Sequence, residues 1–193
     1  MLPAWCCGAG DADFAALMAK PAEHRITAAD FIQTRKLSGM DMELRIRGKM
    51  VFERDGRLRW QTDSPLRGVT VIDGGKLTHF DHETGKKAVI DQKDAPWLGL
   101  LRSCMNDWLC GDPRRLAGRF HVSAPEKNTL LLIPKDRTLE AFYRSILLRF
   151  TAAREDLDGI VIEERGGDRL EIRFTNVRHP ASVPDSFWRV TDE

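Results

Sequence analysis

The clearest alternation of hydrophobic and polar residues in the chain begins at Met42. From there to Glu53, hydrophobic side chains occupy even positions and charged side chains occupy odd positions, with Gly48 and Val51 as the exceptions. The hydrophobic set is Met42, Leu44, Ile46, Met50 and Phe52, and the charged set is Glu43, Arg45, Arg47, Lys49 and Glu53. A period of two is typical of a strand with one face against an apolar region and the other in water. The pattern therefore predicts a long, half-buried strand.

Turn signals divide the residues that follow into further strands. They are Asp55-Gly56, Asp73-Gly74-Gly75 and Glu83-Thr84-Gly85, and they separate strand-like runs at 58–60, 69–72, 77–80 and 88–90. Asp-Gly pairs favour tight hairpins because the central residues of such turns need positive φ. The stretch from 42 to 90 therefore predicts four or five antiparallel strands in a meander.

After Asp94 the period becomes helical. Pro96 suits the first position of a helix, and apolar residues then recur at helical spacing until Gly111, namely Trp97, Leu100, Leu101, Cys104, Met105 and Trp108. A short helix begins at Asp112-Pro113 and continues through Leu116. Another short helix is predicted at 13–20, where Phe14, Leu17 and Met18 share one face.

The remaining segments are rich in β-forming residues. A first strand is predicted at 30–37, and later strands at 120–123, 129–133, 145–151, 159–164 and 169–176. Residues 136–143 form either a loop or a turn of helix, and the tail beyond Pro180 is irregular or ends in an edge strand. About ten antiparallel strands broken by an amphipathic helix predict either a sheet wrapped on itself or a sandwich.

Composition limits the class of protein. The 193 residues are enough for one domain with a good core, and a net charge of +1 favours neither disorder nor a nucleic-acid partner. We interpret residues 1–10 as the remnant of a signal peptide or a disordered N-terminus, and 11–193 as one domain. Of the four cysteines, Cys104 and Cys110 form either a local disulfide or two buried free thiols.

Candidate catalytic chemistry is sparse. His79, Asp81 and His82 lie close in sequence, but on a strand the first two share one face and His82 points to the other. The chain has no Gly-x-Ser-x-Gly, phosphate-loop, Cys-x-x-Cys or His-Glu-x-x-His motif. We therefore expect no enzyme activity, no metal and no cofactor.

An ordered series of short motifs does resemble a known family. The series comprises Phe31-Ile-Gln33, Gly48 in a strand, Arg54 at a turn, Arg59-Trp60, Pro65, Asp73-Gly74 and Phe80-Asp81. In this order and spacing they resemble the signature of LolA-like periplasmic carriers of outer-membrane lipoproteins. The resemblance implies a mainly antiparallel β fold, in which an unclosed β-barrel, or half-barrel, has helices packed over its concave face as a lid. The helices predicted at 13–20 and 96–118 correspond to that lid.

The resemblance also implies a function and its partners. It implies a non-catalytic periplasmic carrier that binds acyl chains of a lipoprotein or another lipid in an apolar cavity and moves them towards the outer membrane. An inner-membrane exporter and an outer-membrane acceptor would be its transient partners, and we expect a monomer that binds no nucleic acid. The alternative is a non-catalytic β-rich adaptor associated with a lipid exporter, whose concave face is filled by its own side chains.

On this interpretation a set of apolar side chains lines the cavity. The strand residues are Leu44, Ile46, Met50, Phe52, Leu58, Trp60, Leu148 and Phe150, and the lid residues are Trp97, Leu101, Met105 and Trp108. The alternative for each of them is ordinary core, which is the more common place for an apolar residue on a strand. Arg54 matches an arginine that holds the family's lid by bonding its carbonyls, although Asp55 replaces the usual proline. The basic row of Arg45, Arg47 and Lys49, with Arg57 and Arg59 nearby, is a solvated face, or it meets an acidic partner or an anionic membrane.

Overall fold

The computed structural model of the chain describes residues 19, 23–40, 42–54, 56–94, 113–153 and 155–190. Within these residues the chain forms eleven strands. They are β1 (Ile26–Lys36), β2 (Glu43–Glu53), β3 (Arg57–Ser64), β4 (Gly68–Asp73), β5 (Lys76–Asp81), β6 (Lys86–Asp91), β7 (Phe120–Ser123), β8 (Thr129–Pro134), β9 (Tyr143–Phe150), β10 (Leu157–Glu164) and β11 (Arg169–Arg178). Helix α1 (Pro113–Arg119) precedes β7, helix α2 (Arg137–Phe142) precedes β9, and a 3-10 helix (Asp185–Trp188) follows β11.

All the described strands belong to one antiparallel sheet. Their order is β6-β5-β4-β3-β2-β1-β11-β10-β9-β8-β7, so β6 and β7 form its two edges and the sheet does not close. Every neighbour in this order is also a neighbour in sequence except β1 and β11. The fold is therefore mainly antiparallel β and an unclosed half-barrel, as the resemblance implies. Of the expected lid, residues 113–118 fall within α1, whereas 13–18, 20 and 96–112 lie outside the described residues.

The meander is confirmed, and its turns use the expected glycines. Strands β2 to β6 pair in succession, and Gly56, Gly74 and Gly75 have φ of 93°, 54° and 82°. Glycine adopts such angles more readily than residues with a Cβ, which explains the hairpins at these points.

Other boundaries differ from the sequence pattern. Strand β1 begins at Ile26 rather than near residue 30, because its first residues pair with the end of β2, Ile26 opposite Glu53. Of the two alternatives predicted for 136–143, the helix is confirmed, because residues 137–142 are helical and Asp136 caps them by accepting hydrogen bonds from the backbone N–H groups of Thr138 and Leu139. The tail forms no edge strand within the described residues and instead makes the 3-10 helix.

The inner face of the sheet is the face that carries Phe31, Met50 and Leu148. It packs with Leu116 of α1 and Leu139 of α2 into the main hydrophobic core. Most of the fully buried large side chains lie towards the β7–β9 end of this core, namely Leu116, Phe120, Leu130, Leu132, Leu139, Ile146 and Leu148. The two short helices therefore cover that end of the inner face. Few of the fully buried large side chains lie at the β2–β5 end.

The outer face carries a second, smaller core. Val69, Val71 and Phe80 on β4 and β5 are buried against Trp188 of the tail, with Phe187 packed at the edge. The guanidinium of Arg57 lies over the Trp188 ring, 4.8 Å from its centroid. Burying these apolar groups fixes the tail on the outside of the sheet, which leaves the inner face free of it.

Candidate functional site

A cavity of about 350 Å³ opens in the inner face of the sheet. Its wall is almost entirely apolar and is built from strands β2 to β5 on one side and β9 to β11 on the other. The lining residues are Arg35, Met50, Leu58, Trp60, Thr70, Ile72, Leu77, Tyr143, Ile160, Ile162, Glu164, Leu170, Ile172 and Phe174. Small-molecule sites have volumes of roughly 300 to 1,000 Å³ and mostly apolar walls, so the cavity is large enough for an apolar ligand.

Strand pairing explains why these side chains converge. Side chains alternate between the two faces of a sheet, and directly paired residues point the same way. Met50 pairs with Trp60, and Trp60 pairs with Thr70. On the opposite wall, Ile160 pairs with Ile172. The alternation on each strand therefore builds one continuous apolar surface across both walls.

Trp60 is held in place from behind by Phe31. The two rings stack with centroids 3.9 Å apart and planes 25° apart, and Phe31 itself is fully buried in β1. An aromatic pair of this kind adds about 0.5–1.5 kcal/mol beyond the area that it buries. The pair thus fixes the orientation of the largest side chain in the cavity wall.

A charged cluster lies at one edge of the cavity. Arg35 donates from Nη2 to Glu164 Oε2 at 3.1 Å and to Asp168 Oδ2 at 3.0 Å. The backbone N–H of Ser38 donates to Asp168 Oδ1 at 2.8 Å, and this bond, followed by the Arg35 bond, lowers the pKa of Asp168. The cluster ties β1 to the β10–β11 hairpin and gives an otherwise apolar recess one polar edge.

The predicted strand residues occupy several different environments. Met50, Leu58 and Trp60 line the cavity. Phe52, Leu148 and Phe150 are buried in the same core but are not among its lining residues, and Ile46 packs against that core partly exposed. Leu44 is 39% exposed. The predicted lid residues Trp97, Leu101, Met105 and Trp108 lie outside the described part of the chain.

Sequence reasoning did not select several lining residues. Those on β10 and β11 are Ile160, Ile162, Leu170, Ile172 and Phe174, and those on β4, β5 and β9 are Ile72, Leu77 and Tyr143. The alternation of Leu170, Ile172 and Phe174 was a usable signal, because polar residues separate them along β11. On β10 the apolar run 160–162 has no alternation to assign a face.

Arg54 lies at the turn between β2 and β3, where it contacts the residues that precede β1. Its Nη2 donates to the backbone carbonyl of His24 at 3.4 Å, and its backbone N–H donates to the carbonyl of Arg25 at 2.8 Å. Its Nε is buried without a hydrogen-bond partner among the described residues. Asp55, which replaces the usual proline after this arginine, lies outside them.

The two histidines near residue 80 make separate contacts. His79 Nδ1 shares a hydrogen bond with Thr70 Oγ1 at 2.9 Å, and the His82 ring packs edge-on against Phe80. Asp81 accepts from the backbone N–H groups of Glu83 and Thr84, and these bonds lower its pKa. The described residues contain no group of three or more His, Cys, Asp or Glu placed to hold a metal ion.

The remaining expectations concern the cysteines and a membrane span. Cys6, Cys7, Cys104 and Cys110 all lie outside the described residues, so both alternatives for Cys104 and Cys110, a local disulfide or two buried free thiols, stay predictions. Among the helices within the described ranges, none combines the length and apolar character that a membrane crossing requires.

Comparisons with known proteins find similarity to one family over most of the chain. A family model described as "Outer membrane lipoprotein carrier protein LolA" matches residues 23–191. A relative from Pseudomonas putida (strain W619), named "Outer-membrane lipoprotein carrier protein", is 27% identical over 147 residues, which is 74% of this chain and 64% of the relative. A relative of the same name from Legionella pneumophila (strain Corby) is 26% identical over 162 residues, covering 83% of this chain and 76% of that one.

Solved structures show similarity of fold. An uncharacterized conserved protein from Thermus thermophilus superimposes with a TM-score of 0.55 over 93% of this chain and 94% of that one, at 8% identity. At such identity the likeness concerns the fold alone.

The chain spans 64% of the length of the Pseudomonas relative.

Proposed function

Because the chain belongs to the LolA family of outer-membrane lipoprotein carriers, we propose that it binds acyl chains of a lipoprotein or another lipid in the inner-face cavity. The apolar cavity of about 350 Å³ supports this proposal. An engineered apolar cavity of about 150 Å³ is enough to hold benzene, so the space here suits part of an alkyl chain. The role needs no bond to be made or broken, and the proposal includes no catalytic step.

The energetics of lipid transfer explain what such a cavity must supply. Each buried methylene contributes about 0.8 kcal/mol, so a 16-carbon chain loses on the order of 12 kcal/mol when it leaves a bilayer for water. An apolar wall such as that formed by Trp60, Leu77 and Ile172 replaces part of that environment. A carrier must also release its cargo, so a partial replacement serves transport better than a complete one.

The proposal includes a route and a location. The carrier would act in the periplasm as a single domain over residues 11–193, receive cargo from an inner-membrane exporter and give it to an outer-membrane acceptor. Lid closure by residues 13–20 and 96–118, with Trp97, Leu101, Met105 and Trp108 facing the cavity, belongs to the same proposal. The names of the two relatives favour lipoprotein cargo.

The alternative of an adaptor without lipid predicts a concave face filled by its own side chains. The recess between β2–β5 and β9–β11 favours the carrier over this alternative. Its lining side chains Trp60, Leu77, Leu170 and Ile172 are only partly buried, so they offer apolar surface to a ligand.

Ligand binding provides the direct test. The purified chain would be titrated with a dansyl-labelled fatty acid, and bound probe would then be displaced with a dipalmitoylated cysteinyl peptide. Leu77→Gln and Leu170→Gln each place an amide in the cavity wall, and an apolar ligand would leave that amide without a partner. Such a loss costs about 1–3 kcal/mol, so we expect roughly tenfold weaker binding of both ligands.

A matched control separates the cavity from general damage. Ile133 is 45% exposed and does not line the cavity, so Ile133→Gln should bind both ligands like the unmodified chain. Circular dichroism would verify that all three variants are folded. A folded, unmodified chain that takes up neither ligand would contradict the carrier proposal and leave the adaptor as the better interpretation.

A further inference from the structure

The outer face of the sheet carries a cluster of cations on its central strands. We define the outer basic surface as Arg45, Arg47, Lys49, Arg59, Arg173 and Arg178. The register places these residues close together. Arg47 and Arg173 both pair with Ile32 of β1, on its two sides. Lys49 lies two residues further along β2 from Arg47, opposite Asp30. The surface therefore spans β3, β2, β1 and β11.

These cations form no ion pair with a described carboxylate, whereas several other arginines near the sheet do. Arg149 pairs with Glu171 at 3.1 Å, Arg169 also pairs with Glu171 at 3.7 Å, and Arg57 pairs with Asp185 at 3.3 Å. Within the described ranges, no ion pair involves Arg45, Arg47, Lys49, Arg173 or Arg178. The chain has a net charge of only +1, so this concentration of positive charge is local.

A recess of about 220 Å³ lies within the surface. Lys49, Arg59 and Arg178 line it together with Gln61, and Val51 and Phe187 supply apolar wall. The tail forms one side, because Arg59 Nη1 donates to the backbone carbonyl of Phe187 at 3.0 Å and the Arg59 guanidinium lies over the Phe187 ring at 5.0 Å. Among the described residues, those that line the recess include no carboxylate.

We propose that the outer basic surface binds an acidic segment of a partner protein, with one carboxylate side chain in the recess. Cationic side chains would meet the carboxylate, while Val51 and Phe187 would contact its methylene stem. Arginine and aromatic side chains are enriched at protein interfaces. Opposite charges on two proteins raise their association rate and disfavour wrong partners. A bilayer surface would contact the exposed rows but would not reach into a recess that has the tail as one of its sides.

The outer basic surface and the cavity lie on opposite faces of the sheet. Lys49 and Met50 are consecutive on β2 and their side chains point to opposite faces, Lys49 to the outer recess and Met50 to the inner core, although Met50 contributes to the walls of both the recess and the cavity. A carrier could therefore hold cargo and partner at the same time. The inference goes beyond the proposed function and does not depend on it.

The test uses charge substitutions on the outer face. The probe is a fluorescein-labelled peptide of alternating glutamate and alanine, and its neutral counterpart has glutamine in place of glutamate. Lys49→Gln with Arg178→Gln should weaken binding of the acidic peptide roughly fivefold to tenfold at low salt, because each exposed pair contributes about 0.2–1 kcal/mol. The binding of the unmodified chain should also fall as salt screens the charges.

A second double variant and a control make the result specific. Lys49→Glu with Arg178→Glu should lose the acidic peptide and gain a peptide of alternating lysine and alanine. Lys127→Gln with Arg144→Gln removes the same charge from exposed positions outside the recess and should retain at least half of the affinity. Uptake of the dansyl fatty acid should stay unchanged in all of these variants.

Several outcomes would overturn the proposal. They are equal binding of the acidic and neutral peptides, equal loss in the control variant, or no peptide binding by the unmodified chain. Binding to phosphatidylglycerol vesicles without binding to the acidic peptide would assign the surface to a membrane instead. Because fatty-acid uptake is measured separately, none of these results would count against the carrier.

Discussion

Gly48 offers the sharpest test of how the sheet is built, because no side chain fits at this position. A Cβ atom there would lie 1.9 Å from the backbone oxygen of Gln61 and 2.7 Å from Cζ of Phe31. Both distances are far inside van der Waals contact. Gly48→Ala therefore requires β2 and β3 to separate or Phe31 to move.

The loss of stability expected for Gly48→Ala depends on which atoms must move. Inserting a methylene into a packed core costs about 1–3 kcal/mol, and a clash with backbone oxygen places Gly48→Ala at the upper end, near 3 kcal/mol. For a chain of this length each kcal/mol lowers Tm by about 2–4 °C, so we expect a fall of roughly 6–12 °C. Phe31 also supports Trp60 in the cavity wall, so fatty-acid binding should weaken in the fraction that remains folded.

Thermal unfolding followed by circular dichroism, with guanidinium titration, would measure the change. Gly118→Ala is the matched control, because a Cβ at Gly118 meets nothing within 4 Å and alanine in a helix is favoured over glycine by about 0.5–1 kcal/mol. The control should be neutral or slightly stabilising. A Gly48→Ala protein within about 0.5 kcal/mol of the unmodified chain, an ordinary surface effect, would refute the packing argument.

Two further substitutions address the charged groups. Asp168 has a pKa below its ordinary value of 3.8, so its contribution to stability is complete above that value and is lost as pH falls through the folded-state pKa. Asp168→Asn should therefore flatten the acid limb of a stability–pH curve, and an unchanged limb would exclude this carboxylate as a source. Arg54→Leu removes the bond to His24 and a buried unpartnered Nε, so Tm should change little. If Arg54 holds a lid, cargo release should become faster, and unaltered release in stopped-flow displacement would remove it from the mechanism.

The sequence predicts the faces of the strands better than the depth of each side chain. Alternation on β2 identified Met50 and Phe52 as neighbours on one face, and both point inward and are buried. Only Met50 lines the cavity. Phe52 and Leu148 share a closed core with Leu116 and Leu139 of the two short helices. Which part of an apolar face stays open depends on what packs over it, and local periodicity contains no such information.

Segments without a period are harder still to predict. Ile160 and Ile162 flank Val161, which is also buried, so the run is apolar on both faces and no pattern assigns the cavity side. The tail has only a short 3-10 helix that ends at Trp188, and its role in the outer core depends on contacts with Val69 and Val71 far away in sequence. In both cases the missing information is tertiary.

The alternation on β2 links the inner cavity to the outer basic surface. A slip of one residue in strand pairing moves every side chain to the other face, so it would turn Lys49 towards the cavity and Met50 towards water. The pairing with β3 resists such a slip at Gly48, which faces Thr62, while Arg47 faces Ser64, so that Asp63 is an extra residue on β3. A slip of one residue would bring Arg47 or Lys49 to this close approach, where no side chain fits. The glycine and the adjacent bulge therefore fix the register that keeps the apolar and the cationic surfaces on opposite sides of one strand.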